Sequence, residues 1–164
     1  MTAPLTAAPL PPALPTPARA TPRLAVLVAS MGGVGRLRPA PGTWGSALVL
    51  PLAWLGPGPC LLAAVLFTLA GVLAVSRLPR AQSDPPWVVV DEAAGQSLAL
   101  AALAPQAGPL WVLAAFLLFR FFDILKPPPV RWADRRDGPV WVMLDDVLAG
   151  ALAAAVLAIA RSVL

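Results

Sequence analysis

The chain has 164 residues, of which 59% are hydrophobic and only 12% charged, with a formal net charge of +4. A soluble domain carries about 25% charged residues, so the composition argues against an ordinary soluble globule and places one domain in or on a membrane. The basic residues are scattered in short loops, which suits an anionic lipid surface and not a nucleic-acid groove. With no histidine, and with one cysteine, Cys60, followed by Leu66 where a phosphatase loop needs Arg, His-based hydrolase and zinc chemistry, cysteine-phosphatase chemistry and an intrachain disulfide are all excluded.

Residues 1–23 hold seven prolines among Ala, Thr and Leu, which predicts a disordered or extended tail. It has no basic n-region and its apolar stretches are broken by proline, so it reads as a cytoplasmic tail and not as a signal peptide. The remainder, 24–164, is read as one domain. Leu24–Met31 feeds a glycine-rich loop, Gly32-Gly33-Val34-Gly35, that continues through Arg36, Arg38 and the turn signal Pro41-Gly42 to Ser46. Thr43 or Ser46 is a candidate cap for the apolar helix that follows. Amides exposed at a helix N-terminus beside two arginines suit an anion, although a structural turn accounts for the same glycines.

Ala47–Val75 is apolar and is interrupted by Gly56-Pro57-Gly58-Pro59. Its first arm covers only about 14 Å, and its second, Cys60–Val75, falls just short of the ~30 Å of a hydrocarbon core. Trp87–Val90 is read as extended and delivers Asp91-Glu92 to the next helix. Ala93–Ala104 and Leu110–Phe122 form another pair of short arms around Pro105–Pro109. Paired arms predict hairpins that return the chain to one membrane face. The acidic residues, all of which lie between Asp84 and Asp146, can then meet at that face.

Leu117–Lys126 carries Arg120, Asp123 and Lys126 three apart in otherwise apolar sequence, a spacing that lets all three share one side of a helix. Pro127-Pro128-Pro129 ends it. Either Asp123 neutralises both basic neighbours in a structural ladder, or the charges meet a ligand, since an unpaired buried charge is costly. Asp91-Glu92 and Asp145-Asp146 share a layout: an apolar lead-in, adjacent carboxylates, then a small-residue helix with Gly95 or Gly150. Capping accounts for one such pair. Four carboxylates converging on one spot repel unless a cation sits among them, and a hard divalent cation such as Mg²⁺ takes oxygen ligands and bridges to phosphate. Together with Arg120, Lys126 and the amide-rich loop, the inventory fits metal-assisted phosphoryl hydrolysis. The rival reading is a non-enzymatic membrane assembly or ion-handling protein with internally paired charges. Asp137-Gly138 is followed by Pro139-Val140, which does not continue a CDP-alcohol phosphotransferase pattern, and the Asp-x-Asp of a haloacid-dehalogenase phosphatase does not occur.

Taken in order, Pro41-Gly42-Thr43-Trp44-Gly45-Ser46, Val90-Asp91-Glu92 with Gly95, Arg120–Pro127, Pro129–Asp134 and Met143–Gly150 resemble the motifs of phosphatidylglycerophosphatase A, bacterial enzymes that dephosphorylate phosphatidylglycerol phosphate. The resemblance covers Gly32–Gly150. It departs at Arg38-Pro39 (usually Ser-Pro), at Pro128 (usually aromatic) and in lacking a His-rich loop before the Asp-Glu pair. It implies a compact all-α fold attached to the bacterial inner membrane with its site on the cytoplasmic face, which together with the paired arms gives a compact bundle of short helices and apolar hairpins. It also implies Mg²⁺ dependence and a phospholipid substrate. By the same resemblance, Asp91, Glu92, Asp145 and Asp146 are metal ligands or base, and Asp123 is a ligand or a supporting carboxylate. Arg120 and Lys126 contact the phosphate, with Thr43 and Ser46 as further phosphate donors. Whether water or an aspartate attacks phosphorus stays open.

Overall fold

The computed structural model describes residues 22–78, 81 and 84–163; the expected tail, apart from Pro22 and Arg23, lies outside them. As expected, the described residues are all-helical: α1 (Arg23–Ala29), α2 (Pro41–Leu48), α3 (Pro57–Ser76), α4 (Val90–Leu100), α5 (Pro109–Leu125), α6 (Pro128–Asp134) and α7 (Pro139–Val163), with 3-10 segments at Met31–Arg36 and Leu50–Leu55. Proline opens α2, α3, α5, α6 and α7. A first helical residue needs no N–H partner and gains from a fixed φ, so prolines that read as breaks act as starts.

α7 is the hub and packs against α3, α4, α5 and α6. α4 and α7 run parallel and cross at glycine: a Cβ on Gly95 would strike the Asp146 backbone and the Phe119 ring, and one on Gly150 would strike the Gly95 backbone. α3 and α5 run the other way, since Gly71 lies against Val90 and Met143 and the C-terminal end of α5 reaches Glu92 and Asp145. One end of the bundle thus collects the C-termini of α3 and α5 and the N-termini of α4 and α7.

The apolar surface faces outward as well as inward. Leu61, Leu62, Val65, Leu66, Leu69 and Leu73 of α3, and Leu110, Leu113, Leu117 and Phe121 of α5, are exposed. Among the described residues two helices, α3 with 20 residues and α7 with 25, are long and apolar enough to cross a membrane. Such a surface is stable in lipid and not in water, and the protein is membrane-associated.

Several expected details differ. Helix α2 begins at Pro41, so Thr43 and Ser46 lie inside it and neither caps it; its N-cap, Ala40, makes no side-chain bond. The short arm expected over Ala47–Leu55 is the end of α2 followed by a 3-10 segment. Trp87–Val90 is not an extended lead-in: a turn at Pro86-Trp87 is followed by α4 at Val90, anchored by Val89 N–H donating to Ala29 O at 2.9 Å. Because α3 starts at Pro57, the second arm expected over Cys60–Val75 is a 20-residue helix. The charged clusters still meet at one end, because long helices alternate in direction as well as short ones do.

Candidate active site

The Gly95–Gly150 crossing sets the site. Asp91 precedes Gly95 by four residues and Asp146 precedes Gly150 by four, so one helical turn above the contact the two carboxylates lie side by side. Glu92 joins them: carboxylate oxygens of Asp91, Glu92 and Asp146 all lie within 4.8 Å of one another. Asp91 and Asp146 are buried. Among the described residues, Glu92 Oε2 and Asp146 Oδ1 have no hydrogen-bond partner.

Their electrostatics follow from that geometry. Burial, then the charges of Glu92 and Asp146, hold the Asp91 carboxyl well above the usual carboxylate range. Burial also pushes Glu92 up to about 7, with Asp123 adding to it and the Asp91 hydrogen bond and Arg120 opposing. Orphaned acceptors among crowded carboxylates are the arrangement a cation relieves. The donor set is all oxygen and suits a hard divalent ion.

Arg120 stands against this trio, 3.9 Å from Glu92. It is fixed by Asp123 at 2.8 Å, an i, i+3 pair, and donates to Ser46 Oγ at 3.4 Å. Ser46 in turn donates to Gly42 O at 2.8 Å. Gly42 has no side chain to spare, since a Cβ there would strike Glu92 and crowd Arg120. The turn motif thus brings the α2 backbone up to the ion pair.

Two expected placements change. Asp145 is not in the trio. It neighbours Asp146 in sequence but points about 100° around α7, away from the α4 contact, and its Oδ2 accepts from Lys126 Nζ at 3.0 Å. The three-charge ladder is also broken. Lys126 caps α5 in the left-handed region, φ 47°, so its side chain leaves the Arg120–Asp123 face and bridges Asp145 and Asp134. Burial would depress Lys126, but the Asp134 hydrogen bond and the Asp145 charge outweigh it and hold the ammonium above its ordinary value. Ser46 is fully buried and its hydroxyl is engaged by Gly42 and Arg120, so it positions the guanidinium. Thr43 is half-buried in α2.

The sequence reading passed over three residues. Asp134 shares Lys126, and its place in the motif stretch Pro129–Asp134 was a usable signal. Asp84 lines a cavity of about 230 Å³ with Asp134, Arg136, Asp137, Trp141 and Asp145, and nothing in the sequence marked it. Gln96, one turn below Glu92 on α4, is fully buried, and among the described residues neither of its amide atoms is bonded. Below the site, Leu61, Ala64, Val65, Leu69, Leu98 and Val147 line an apolar groove of about 260 Å³ between α3, α4 and α7.

Carboxylates that could hold a cation thus lie beside a guanidinium at the charged end of an apolar bundle. Comparison with known proteins gives the family. The family model described as Phosphatidylglycerophosphatase A matches residues 27–161, and the chain belongs to that family. A Haemophilus influenzae phosphatidylglycerophosphatase A is 41% identical over 125 residues, 71% of this chain and 76% of its own. The Escherichia coli protein of that name is 41% identical over 75 residues, 45% of this chain and 43% of its own. A Bacteroides thetaiotaomicron protein named "Putative phosphatidylinositol-3-phosphatase" is 41% identical over 153 residues, 86% of this chain and 96% of its own. No solved structure matches. The protein is therefore an enzyme, a phosphatase.

Proposed function

We propose that the domain, residues 24–164, hydrolyses phosphatidylglycerol phosphate to phosphatidylglycerol and phosphate in phospholipid biosynthesis, with Mg²⁺ as cofactor. The observation that carries this reading is the trio Asp91, Glu92 and Asp146, with two orphaned oxygens, placed against Arg120. These three residues would hold the ion, which when bound would polarise the phosphate and lower the pKa of a coordinated water.

The chain's own groups supply the rest. Arg120, held by Asp123 and Ser46, presents its guanidinium to phosphate oxygens as charge develops on them. Lys126 places Asp145 at the cavity wall. Asp145, outside the trio, takes the base role. Thr43 and the neighbouring backbone amides complete the anion cradle. An acyl chain lies in the apolar groove, which Val147 and Leu98 place beneath the carboxylates; Asp91 to Leu98 is a rise of about 10 Å along α4.

Arg36, Arg38, Arg77, Arg131, Arg135 and Arg136 flank the site end and Arg161 the other. By the bias of Lys and Arg toward cytoplasmic loops, the site faces the cytoplasm at the bacterial inner membrane. Phosphatidylglycerol phosphate and phosphatidylinositol 3-phosphate have the same reacting group, a phosphomonoester on a lipid that also carries a phosphodiester, so the names of the relatives agree on the chemistry.

The deciding experiment is phosphate release from phosphatidylglycerol phosphate by detergent-purified protein, with Mg²⁺ and with excess chelator, beside Asp146→Asn and Asp145→Asn. Metal-dependent release lost in folded variants supports the reading. A well-folded, metal-supplied wild type that releases no phosphate overturns it.

A further inference from the structure

A second charged feature lies next to the site and takes no part in the chemistry above. Pro128, Arg131, Trp132, Arg135 and Arg136 line an open hollow of about 400 Å³ on the outer side of α6. Among the described residues no carboxylate lines it and no ion pair involves Arg131, Arg135 or Arg136. One of the three is held in place. The Arg136 guanidinium packs 4.0 Å from the Trp132 ring centroid and 4.4 Å from that of Trp141, and the rings meet edge to face at 5.2 Å. Stacking engages the faces of a guanidinium and leaves its N–H edge free for an oxyanion.

Arg136 also lines the acidic cavity that contains Asp145, so it forms the wall between the two spaces. Trp141 precedes Asp145 by one turn of α7, a rise of about 6 Å. Asp145 on the wall of that cavity is the sequence neighbour of Asp146 in the trio, so the arginine hollow and the carboxylates lie at the same end of the bundle.

The geometry points to this hollow as the subsite for the phosphodiester of the substrate lipid, with Arg136 as the specificity-determining contact and Arg131 and Arg135 as its electrostatic rim. This inference rests on the proposed substrate class. It makes the enzyme selective for lipids that carry both a monoester and a diester. Phosphatidate, whose one phosphate is the monoester, fills only the acidic side. A planar, stacked guanidinium suits two oxygens of one phosphate, which a lysine does not reproduce.

The test compares kcat and KM for phosphatidylglycerol phosphate and for phosphatidate in matched micelles, in wild type, Arg136→Gln, Arg136→Lys and the double variant Arg131→Gln/Arg135→Gln. The last changes only exposed side chains and guards against misfolding of the stacked position. In parallel, native mass spectrometry measures binding of phosphatidylglycerol, which has the diester alone, against phosphatidylcholine. The expected result is a preference for the two-phosphate lipid that falls about tenfold or more in Arg136→Gln, through KM, equivalent to one charge-assisted contact. Arg136→Lys restores only part of it, and phosphatidylglycerol binding weakens in step. An unchanged preference, or an equal loss on both substrates, overturns the inference while leaving the phosphatase reading intact. If wild type hydrolyses neither lipid, the phosphatase reading fails and the binding arm alone decides: weaker phosphatidylglycerol binding in the variants supports the subsite, and unchanged binding removes it.

Discussion

Replacing Glu92 by Gln should stabilise the protein when no metal is present and abolish its response to metal. Glu92 sits among Asp91, Asp146 and Asp123 with its side chain 16% exposed, and burial lifts its pKa from the ordinary 4.5 to about 7. The folded state therefore holds this proton more tightly than the unfolded chain does. Its stabilising contribution is complete below pH 4.5 and is lost as pH rises through about 7. At about 1.36 kcal/mol for each pKa unit, ionised Glu92 costs the metal-free fold on the order of 3 kcal/mol at pH 8. Gln mimics the protonated acid and removes that cost. The assay is denaturation in detergent followed by tryptophan fluorescence, with chelator and with Mg²⁺, at about pH 5 and pH 8. With chelator, wild type should be less stable at the higher pH, and Glu92→Gln should exceed it there by about that amount. Mg²⁺ should rescue wild type at pH 8, help little at pH 5, and leave the variant unmoved. A chelated wild type as stable at pH 8 as at pH 5, or a variant that still answers to Mg²⁺, would refute the argument.

Asp146→Asn should weaken Mg²⁺ binding at least tenfold, measured as the metal concentration needed to stabilise the protein against denaturation, because it removes one of three converging donors. Lys126→Met strips Asp145 and Asp134 of their shared cation and should cost about 2 kcal/mol in chemical denaturation, with loss of most turnover. Gly150→Ala presses a methyl into the Gly95 backbone and should destabilise by about 2 kcal/mol. Gly58→Ala, where a Cβ meets nothing within 4 Å, should change stability by less than about 0.5 kcal/mol; equal losses at the two glycines would discredit the close crossing.

Much of this arrangement is legible in the chain. The paired acids, the Pro-Gly-Thr turn and the Arg-x-x-Asp-x-x-Lys stretch carry the family and mark one charged end, since few charges in an apolar sequence leave little freedom in where they gather. What escapes is helix phase. Asp145 and Asp146 read as an equivalent pair, yet the register with Gly150 selects only Asp146 for the α4 face and turns its neighbour to Lys126. Backbone conformation escapes too: the i, i+3, i+6 ladder presumes a helix through Lys126, and a left-handed residue there redirects the side chain. Asp84 lines a cavity whose other residues come from α6, α7 and the loop between them, which no local pattern encodes.

The parallel pairing of α4 with α7 has a consequence for how the enzyme comes into being. Its carboxylates arrive on helices separated by the whole of α5 and α6, so no partial chain ending before α7 contains the trio. Asp91 and Glu92 meet Asp146 only when the last long helix docks, and the docking surface is the same glycine seam that sets their spacing. Completion of the fold and creation of the site are then a single event, the slowest kind of contact for a chain to make. A chain whose last helix has not docked lacks Asp146 beside Asp91 and Glu92, so the trio is a property of the finished bundle alone.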